Sequence, residues 1–168
     1  MKGFFSFKKN KGFTMLEMII ATFILVVGII SVYSSFARIT IATSIVSSKL
    51  TAAYLAQEGI EIIRNIRDTN WLKGFNQDNG LSTTCSLGCE ADYTTKTVEQ
   101  IAAYAGMPLC INTEGFYNHF SGSQTIFKRK ITITSPVADV LLVSVLIEWE
   151  DRGTPYNFTA EESLYDWY

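Results

Sequence analysis

The sequence predicts an α+β fold, in which a long N-terminal α-helix packs by its C-terminal half on a small antiparallel β-sheet. Residues 13–37 form an apolar run in which Glu17 is the only charged residue. The apolar residues that follow recur every three or four positions as far as Ile66, which is the period of one helix face. From Ile126 onward, apolar and polar residues alternate, which is the period of a strand. A helix therefore precedes a sheet, and its apolar stripe is the surface for the sheet to cover.

The helix is predicted to run without a break from Phe13 to about Arg67, since the chain has no proline before Pro108. Its first part, residues 13–37, exceeds the roughly 20 apolar residues that a membrane span needs. Its second part is amphipathic, and the apolar stripe comprises Ala52, Leu55, Ala56, Gly59, Ile62, Ile63 and Ile66. The opposite face carries Glu58, Glu61, Arg64 and Asp68, and the pairs Glu61–Arg64 and Arg64–Asp68 are spaced for ion pairing.

The segment that follows, residues 70–122, is predicted to be largely irregular. Val98 to Ala105 is expected to form a short helix that ends before Pro108. Asn76 to Gly80 is typical of a turn-rich loop, and it lacks the alternating acidic residues of a calcium loop. Three cysteines, Cys85, Cys89 and Cys110, allow one disulfide and leave one thiol free, and all three pairings remain open.

The C-terminal part is predicted to be an antiparallel sheet. One face of its first strand comprises Phe127, Arg129, Ile131 and Ile133, and one face of the next comprises Leu141, Val143, Val145, Ile147 and Trp149. Asp151 to Pro155 is expected to turn the chain, and Tyr156 to Trp167 to return as a further strand. Because Arg129 lies on the apolar face, we expect it to pair with Glu58 or Glu61 of the helix.

Charge indicates the topology and argues against one class of partner. Four lysines and no acid precede the apolar run, and basic residues in that position stay in the cytoplasm, so the C-terminal domain is expected outside. Residues 1–12 hold four of the 14 Lys and Arg and none of the 16 Asp and Glu, so the remaining chain has a formal charge of −6. An acidic chain is a poor general nucleic-acid binder. Lys128 and Lys130 are expected to point outward as a solvated strand edge.

No enzyme, cofactor or metal site is predicted. His119 is the only histidine, and no nucleophile motif or partner set for acid–base chemistry accompanies it. A zinc site would need a fourth ligand close to the three cysteines. A conventional secretory signal cut after the apolar run, near Ser34 to Ala37, is the rival interpretation of the N-terminus, but such signals have apolar regions of only about 7–15 residues.

The segment from Lys11 to Glu17, K-G-F-T-M-L-E, followed by the apolar run, resembles the type III leader of type IV prepilins and pseudopilins. The resemblance implies the type IV pilin fold and cleavage by prepilin peptidase after Gly12. It also implies N-methylation of Phe13 and an assembly role for Glu17, which pairs with the N-terminal amine of a neighbouring subunit. More loosely, the helix from Leu55 to Asp68 is similar to that of PilV-like minor pilins.

The resemblance also implies the domain organisation and the partners. Residues 1–12 would be the cleaved leader, 13–37 the membrane span and later the filament core, 38–70 the amphipathic half of the helix, and 71–168 the loop region and sheet head. The partners would be prepilin peptidase, other pilin subunits, and the assembly platform and its ATPase. The chain would reside in the cytoplasmic membrane with its head outside, and then in an extracellular pilus.

Three functional alternatives follow from the resemblance. The first is a structural subunit of a type IV pilus, of the minor class. The second is a pseudopilin of a type II secretion apparatus. The third is a pilus-tip module for adhesion or DNA uptake.

Overall fold

The predicted α+β class is confirmed in a computed structural model that describes residues 12–137 and 139–166. Its helices are α1 (Met15–Leu72) and α2 (Leu81–Thr84), with a 3-10 turn at Val98–Gln100. Its strands are β1 (Cys89–Glu90), β2 (Ala102–Ala103), β3 (Pro108–Ile111), β4 (Tyr117–Asn118), β5 (Ser123–Val137), β6 (Val140–Asp151) and β7 (Thr154–Tyr165). The chain divides into two compact units between Ser44 and Ile45.

The first unit contains the apolar part of α1. An 18-residue window of this helix has a mean hydropathy of 2.5, so it is long and apolar enough to cross a membrane, and none of that window is buried within the described chain. Several of its hydroxyl groups are bonded inside the helix: Thr22 donates to the Met18 carbonyl, and Ser31 donates to that of Val27 at 2.8 Å. Such bonds reduce the cost of placing these hydroxyl groups in hydrocarbon.

In the second unit, the predicted apolar stripe of α1 is confirmed, since every one of its seven residues is buried. At Gly59 the helix lies close to the sheet. A Cβ placed there would lie 3.0 Å from Cγ1 of Val145 on β6. A larger side chain at this position would therefore push α1 away from the sheet.

The sheet is antiparallel throughout, and its long strands lie in the order β7, β6, β5. On the side away from β6, β5 pairs with β1 at Ile131 and with β3 from Ser123 to Lys128. The predicted alternation on both long strands is confirmed, because every residue assigned to the apolar faces of β5 and β6 is buried. The turn between β6 and β7 contains Arg152 and Gly153, both with positive φ. The predicted last residue of β7, Trp167, lies outside the described residues.

Two predictions for local structure are wrong. Only Val98–Gln100 is helical in the segment from Val98 to Ala105, and that turn is of the 3-10 type. The following residues form β2, which pairs with β1 instead, and Pro108 starts β3. Pairing with a strand that is distant in sequence has overridden the local helix preference.

The second error concerns the charged face of α1. The predicted Glu61–Arg64 pair forms, but Asp68 pairs with Arg67 rather than with Arg64. Arg64 contacts Glu162 on β7 instead. The sheet therefore supplies a partner that helix spacing could not predict.

Of the three possible cysteine pairings, the structure contains the disulfide Cys85–Cys89. Both residues are fully buried, and Cys110 on β3 is free and half-buried. The bond ties the end of α2 to β1, which holds this irregular segment against the centre of the sheet.

Candidate assembly site

The candidate site lies where α1 begins. The helix α1 starts at Met15. It is preceded by irregular, exposed backbone at Gly12, Phe13 and Thr14. Among residues 12–137 and 139–166, no atom lies within 4 Å of the position that a Cβ on Gly12 would occupy. Gly12 and Phe13 are thus both exposed with respect to this part of the chain. The preceding residues of the predicted leader, 1–11, lie outside the described part of the chain.

Thr14 caps the helix. Its hydroxyl oxygen accepts a hydrogen bond from the backbone N–H of Glu17 at 3.2 Å. The segment Thr14-Met15-Leu16-Glu17 has the S/T-x-x-E spacing of a capping box, in which the first residue satisfies an amide of the open helix end. This role of Thr14 was not predicted from the sequence, although the capping-box spacing encodes it. The cap places the first turn of α1, and so the Glu17 side chain, directly after the predicted cleavage position.

Glu17 is the single acidic residue of this turn and is exposed among apolar neighbours. A carboxylate in the first turn interacts favourably with the positive end of the helix dipole. In the described residues 12–137 and 139–166, no salt bridge to Glu17 forms within 4.0 Å. Its carboxylate is thus available to a cation from outside the chain.

Comparison with known proteins identifies one motif in the chain. Residues 7–33 match the family model described as the Prokaryotic N-terminal methylation motif. This match supports a type IV pilin or pseudopilin. The matched residues include Gly12, Phe13 and Glu17, together with most of the apolar helix. No curated protein and no solved structure shows a significant match to the chain.

The matched motif also bears on processing and location. A prepilin leader implies processing by prepilin peptidase and assembly with other pilins. The apolar helix that follows indicates membrane anchoring before assembly. The motif is shared by pilins and pseudopilins and covers the N-terminal region alone. It therefore does not distinguish a pilin from a pseudopilin.

The other residues that the sequence singled out lie in the second unit. Arg129 on β5 is completely buried and pairs with Glu58 of α1 at 2.9 Å, as expected from its place on the apolar face. Lys128 is exposed, while the Lys130 ammonium lies 5.5 Å from the centre of the Tyr104 ring. These three basic residues therefore do not form one continuous charged patch.

His119 occupies a buried position beside two carboxylates. Its Nδ1 lies 3.7 Å from Oε2 of Glu90, and its backbone N–H donates to Asp92 at 3.0 Å. Burial lowers the pKa of the His119 imidazole below its ordinary value and outweighs the Glu90 carboxylate, which raises it. Across the described ranges, no group of three or more His, Cys, Asp or Glu residues could hold a metal ion.

Proposed function

We propose that this chain is a non-enzymatic structural subunit, of the minor class, of a type IV pilus. The observation that carries the proposal is the match of residues 7–33 to the methylation motif, with Gly12 and Phe13 at the cleavage position. Prepilin peptidase cuts between these two residues and methylates the new amine of Phe13. The exposure of both residues, ahead of a helix that starts only at Met15, supports access by the peptidase.

Cleavage creates the cation that Glu17 needs. The new α-amine of Phe13 lies one helical turn from Glu17 of its own chain, and in a bundle of such helices it meets Glu17 of a neighbouring subunit. An isolated carboxylate costs about 2.5–3.5 kcal/mol at the centre of a bilayer on insertion scales, and less near the interface. A lone carboxylate among packed apolar helices is also unfavourable unless it is paired. Pairing therefore sets the register between subunits more than it adds binding energy.

The topology follows from the charge distribution. Lys2, Lys8, Lys9 and Lys11 keep the leader in the cytoplasm, and the head lies outside. The Cys85–Cys89 disulfide supports this placement, because disulfides persist in oxidising compartments. The assembly ATPase and its platform protein then extract the processed chain from the membrane into the filament.

Assignment to the minor, PilV-like class rests on the character of the head. Between Leu72 and Ser123 the strands are two to four residues long and are joined by irregular segments. The amphipathic segment from Leu55 to Asp68 resembles the corresponding helix of PilV-like minor pilins.

The proposal is tested by two measurements on the full chain in the bacterium that makes it. The mass of the membrane-extracted protein should correspond to loss of residues 1–12 plus one methyl group. A mass that begins at Met1, or one that begins after Ala37, would refute the processing step.

Incorporation into fibres tests the role of Glu17. In fibres sheared from the cells, the Glu17→Ala variant should be strongly depleted, while Met18→Ala, at an exposed neighbouring position on α1, should be incorporated normally. Equal incorporation of Glu17→Ala and the natural chain would refute the pairing. Recovery of the processed chain only in short, envelope-bound assemblies would indicate a pseudopilin.

A further inference from the structure

The second unit contains a cavity of about 240 Å³ where β1 meets the loops that follow β2 and β4. Its lining includes the carboxylates of Glu90 and Asp92 and the imidazole of His119, and we call it the acidic cavity. Glu90 is 7 % exposed, Asp92 is 1 % exposed, and the side chain of His119 is 7 % exposed. Three ionisable side chains therefore face one another out of contact with most of the solvent.

The carboxylate of Glu90 is held in a fixed position. Its Oε1 accepts hydrogen bonds from the backbone N–H groups of Ala105, Gly106 and Met107, at 3.0, 3.0 and 3.4 Å. Its Oε2 lies 3.7 Å from Nδ1 of His119, which is too far for a hydrogen bond between these two atoms. The loop after β2 thus sets one oxygen of Glu90 beside the imidazole.

The imidazole of His119 has unused bonding capacity. Neither of its ring nitrogens has a hydrogen-bond partner in residues 12–137 and 139–166. Because burial lowers its pKa below the ordinary value, the ring is neutral near pH 7 and has one N–H donor and one acceptor nitrogen. Buried polar groups are normally paired, so the ring favours a ligand that can bond to it.

The acidic cavity also carries negative charge that the described residues do not balance. Asp92 accepts hydrogen bonds from Thr94 and from the backbone N–H of His119, none of which brings a positive charge. No Lys or Arg in the described part of the chain forms a salt bridge with Glu90 or Asp92. Buried carboxylates are unfavourable without a counter-charge, so the cavity favours a cationic ligand.

The entrance to the acidic cavity is apolar. Met107 and Phe120 also line it, and they are 56 % and 83 % exposed. An alkyl chain with a charged head buries its methylene groups along such a surface, while the head reaches polar atoms. An apolar entrance above an acidic interior therefore matches a cation at the end of an alkyl chain.

We propose that the acidic cavity binds the primary ammonium group of an alkylamine, either a free amine or the side chain of a lysine on another protein. One ammonium can donate to both Oε2 of Glu90 and Nδ1 of His119, because their separation of 3.7 Å allows two bonds of ordinary length. The imidazole proton then lies on Nε2. The alkyl chain contacts Met107 and Phe120. This proposal goes beyond the proposed function, since it uses residues of the second unit alone and no step of filament assembly.

The first test is calorimetric titration of the purified full chain in detergent at pH 7. Butylamine, which is protonated at this pH, should bind at least tenfold more tightly than n-butanol, which has the same chain length and no charge. Glu90→Gln should weaken butylamine binding about tenfold. Glu99→Gln, which removes the same charge from an exposed residue outside the cavity, should leave the affinity within about twofold.

A second measurement locates the ligand without any substitution. Met107 is the single methionine of the second unit, whereas Met15 and Met18 belong to the first. With methionine methyl groups labelled with carbon-13, butylamine should shift the Met107 resonance in nuclear magnetic resonance spectra and leave those of Met15 and Met18 in place.

A capped lysine, with its backbone amine and carboxylate blocked as amides, distinguishes the two sources of the ammonium. Binding of both probes supports the site and indicates that a lysine side chain of another protein can enter it. Binding of butylamine alone supports the site and assigns it to a free amine.

Three results would overturn the proposal. Equal binding of butylamine and n-butanol would show that the charge is not recognised. Unchanged butylamine affinity in a folded Glu90→Gln variant would place the ligand elsewhere. Absence of any shift at Met107, together with absence of binding heat, would show that the cavity holds only water.

Discussion

Arg129 offers the sharpest test of how the head is held on α1. Its guanidinium is completely buried between the helix and the sheet. Nη1 donates to the Leu55 carbonyl at 3.1 Å and to the Glu58 carboxylate at 2.9 Å, and Nη2 donates to the Ala91 carbonyl at 2.7 Å. One side chain thus joins α1, β5 and the segment after β1. Replacing it with methionine keeps much of the volume and removes all three bonds.

The expected loss follows from what the substitution leaves behind. The Ala91 carbonyl loses the bond that Arg129 supplied, and an unsatisfied buried acceptor costs about 1–3 kcal/mol. The Leu55 carbonyl lies in a helix, where its ladder bond limits the loss. Glu58 loses its partner, but its side chain is 31 % exposed and water can replace part of the interaction. We therefore expect Arg129→Met to lower the free energy of unfolding by about 3 kcal/mol.

The assay is denaturant unfolding of the purified full chain in detergent, followed by tryptophan fluorescence. The double variant Glu58→Leu/Arg129→Met is the informative partner, because replacing a whole ion pair with apolar residues is often close to neutral. Its loss should be smaller than the sum of the two single losses. If Arg129→Met unfolds at the same denaturant concentration as the natural chain, the guanidinium does not hold the head on the helix.

Three further predictions concern the head. Replacing both Cys85 and Cys89 with alanine should lower the free energy of unfolding by about 2 kcal/mol, which is the loop-closure entropy of a five-residue loop. Cys110→Ala should lower it by less, and a reductant that leaves the natural chain equally stable would contradict this. Because burial lowers the pKa of His119, the unfolded chain binds more protons than the folded chain as the pH falls below about 6.5, so stability should fall there. His119→Gln should flatten that slope in unfolding curves, and an unchanged slope would exclude the imidazole as its cause. Gly122 has φ 113°, and a Cβ there would lie 2.1 Å from a carbonyl oxygen of β3. Gly122→Ala should therefore lower the free energy of unfolding by more than about 2 kcal/mol. An unchanged melting temperature would show that the turn adjusts without strain.

Much of the architecture could be predicted because it depends on local periodicity. The apolar run, the buried stripe of α1 and the alternation on β5 and β6 each follow from side chains that must leave water along one face. The partner of Arg129 could be narrowed to two acids for the same reason. A basic residue on an apolar face requires a counter-charge, and Glu58 and Glu61 were the candidates on the facing helix.

The candidate assembly site was likewise readable from the sequence. Gly12, Phe13 and Glu17 lie within six consecutive residues, so their arrangement depends on the chain alone and on the start of one helix. The structure added the cap at Thr14, which a local spacing also encodes.

The sequence by itself determined the prepilin leader, the long helix and the alternating strands, because each depends on residues close together in the chain. Tertiary structure alone decided the Cys85–Cys89 pairing, the strand β2 in place of a helix, and the contact of Arg64 with Glu162. The last of these joins residues 98 positions apart. That contact depends on the packing of β7 against α1, and it leaves no periodic signal in the sequence.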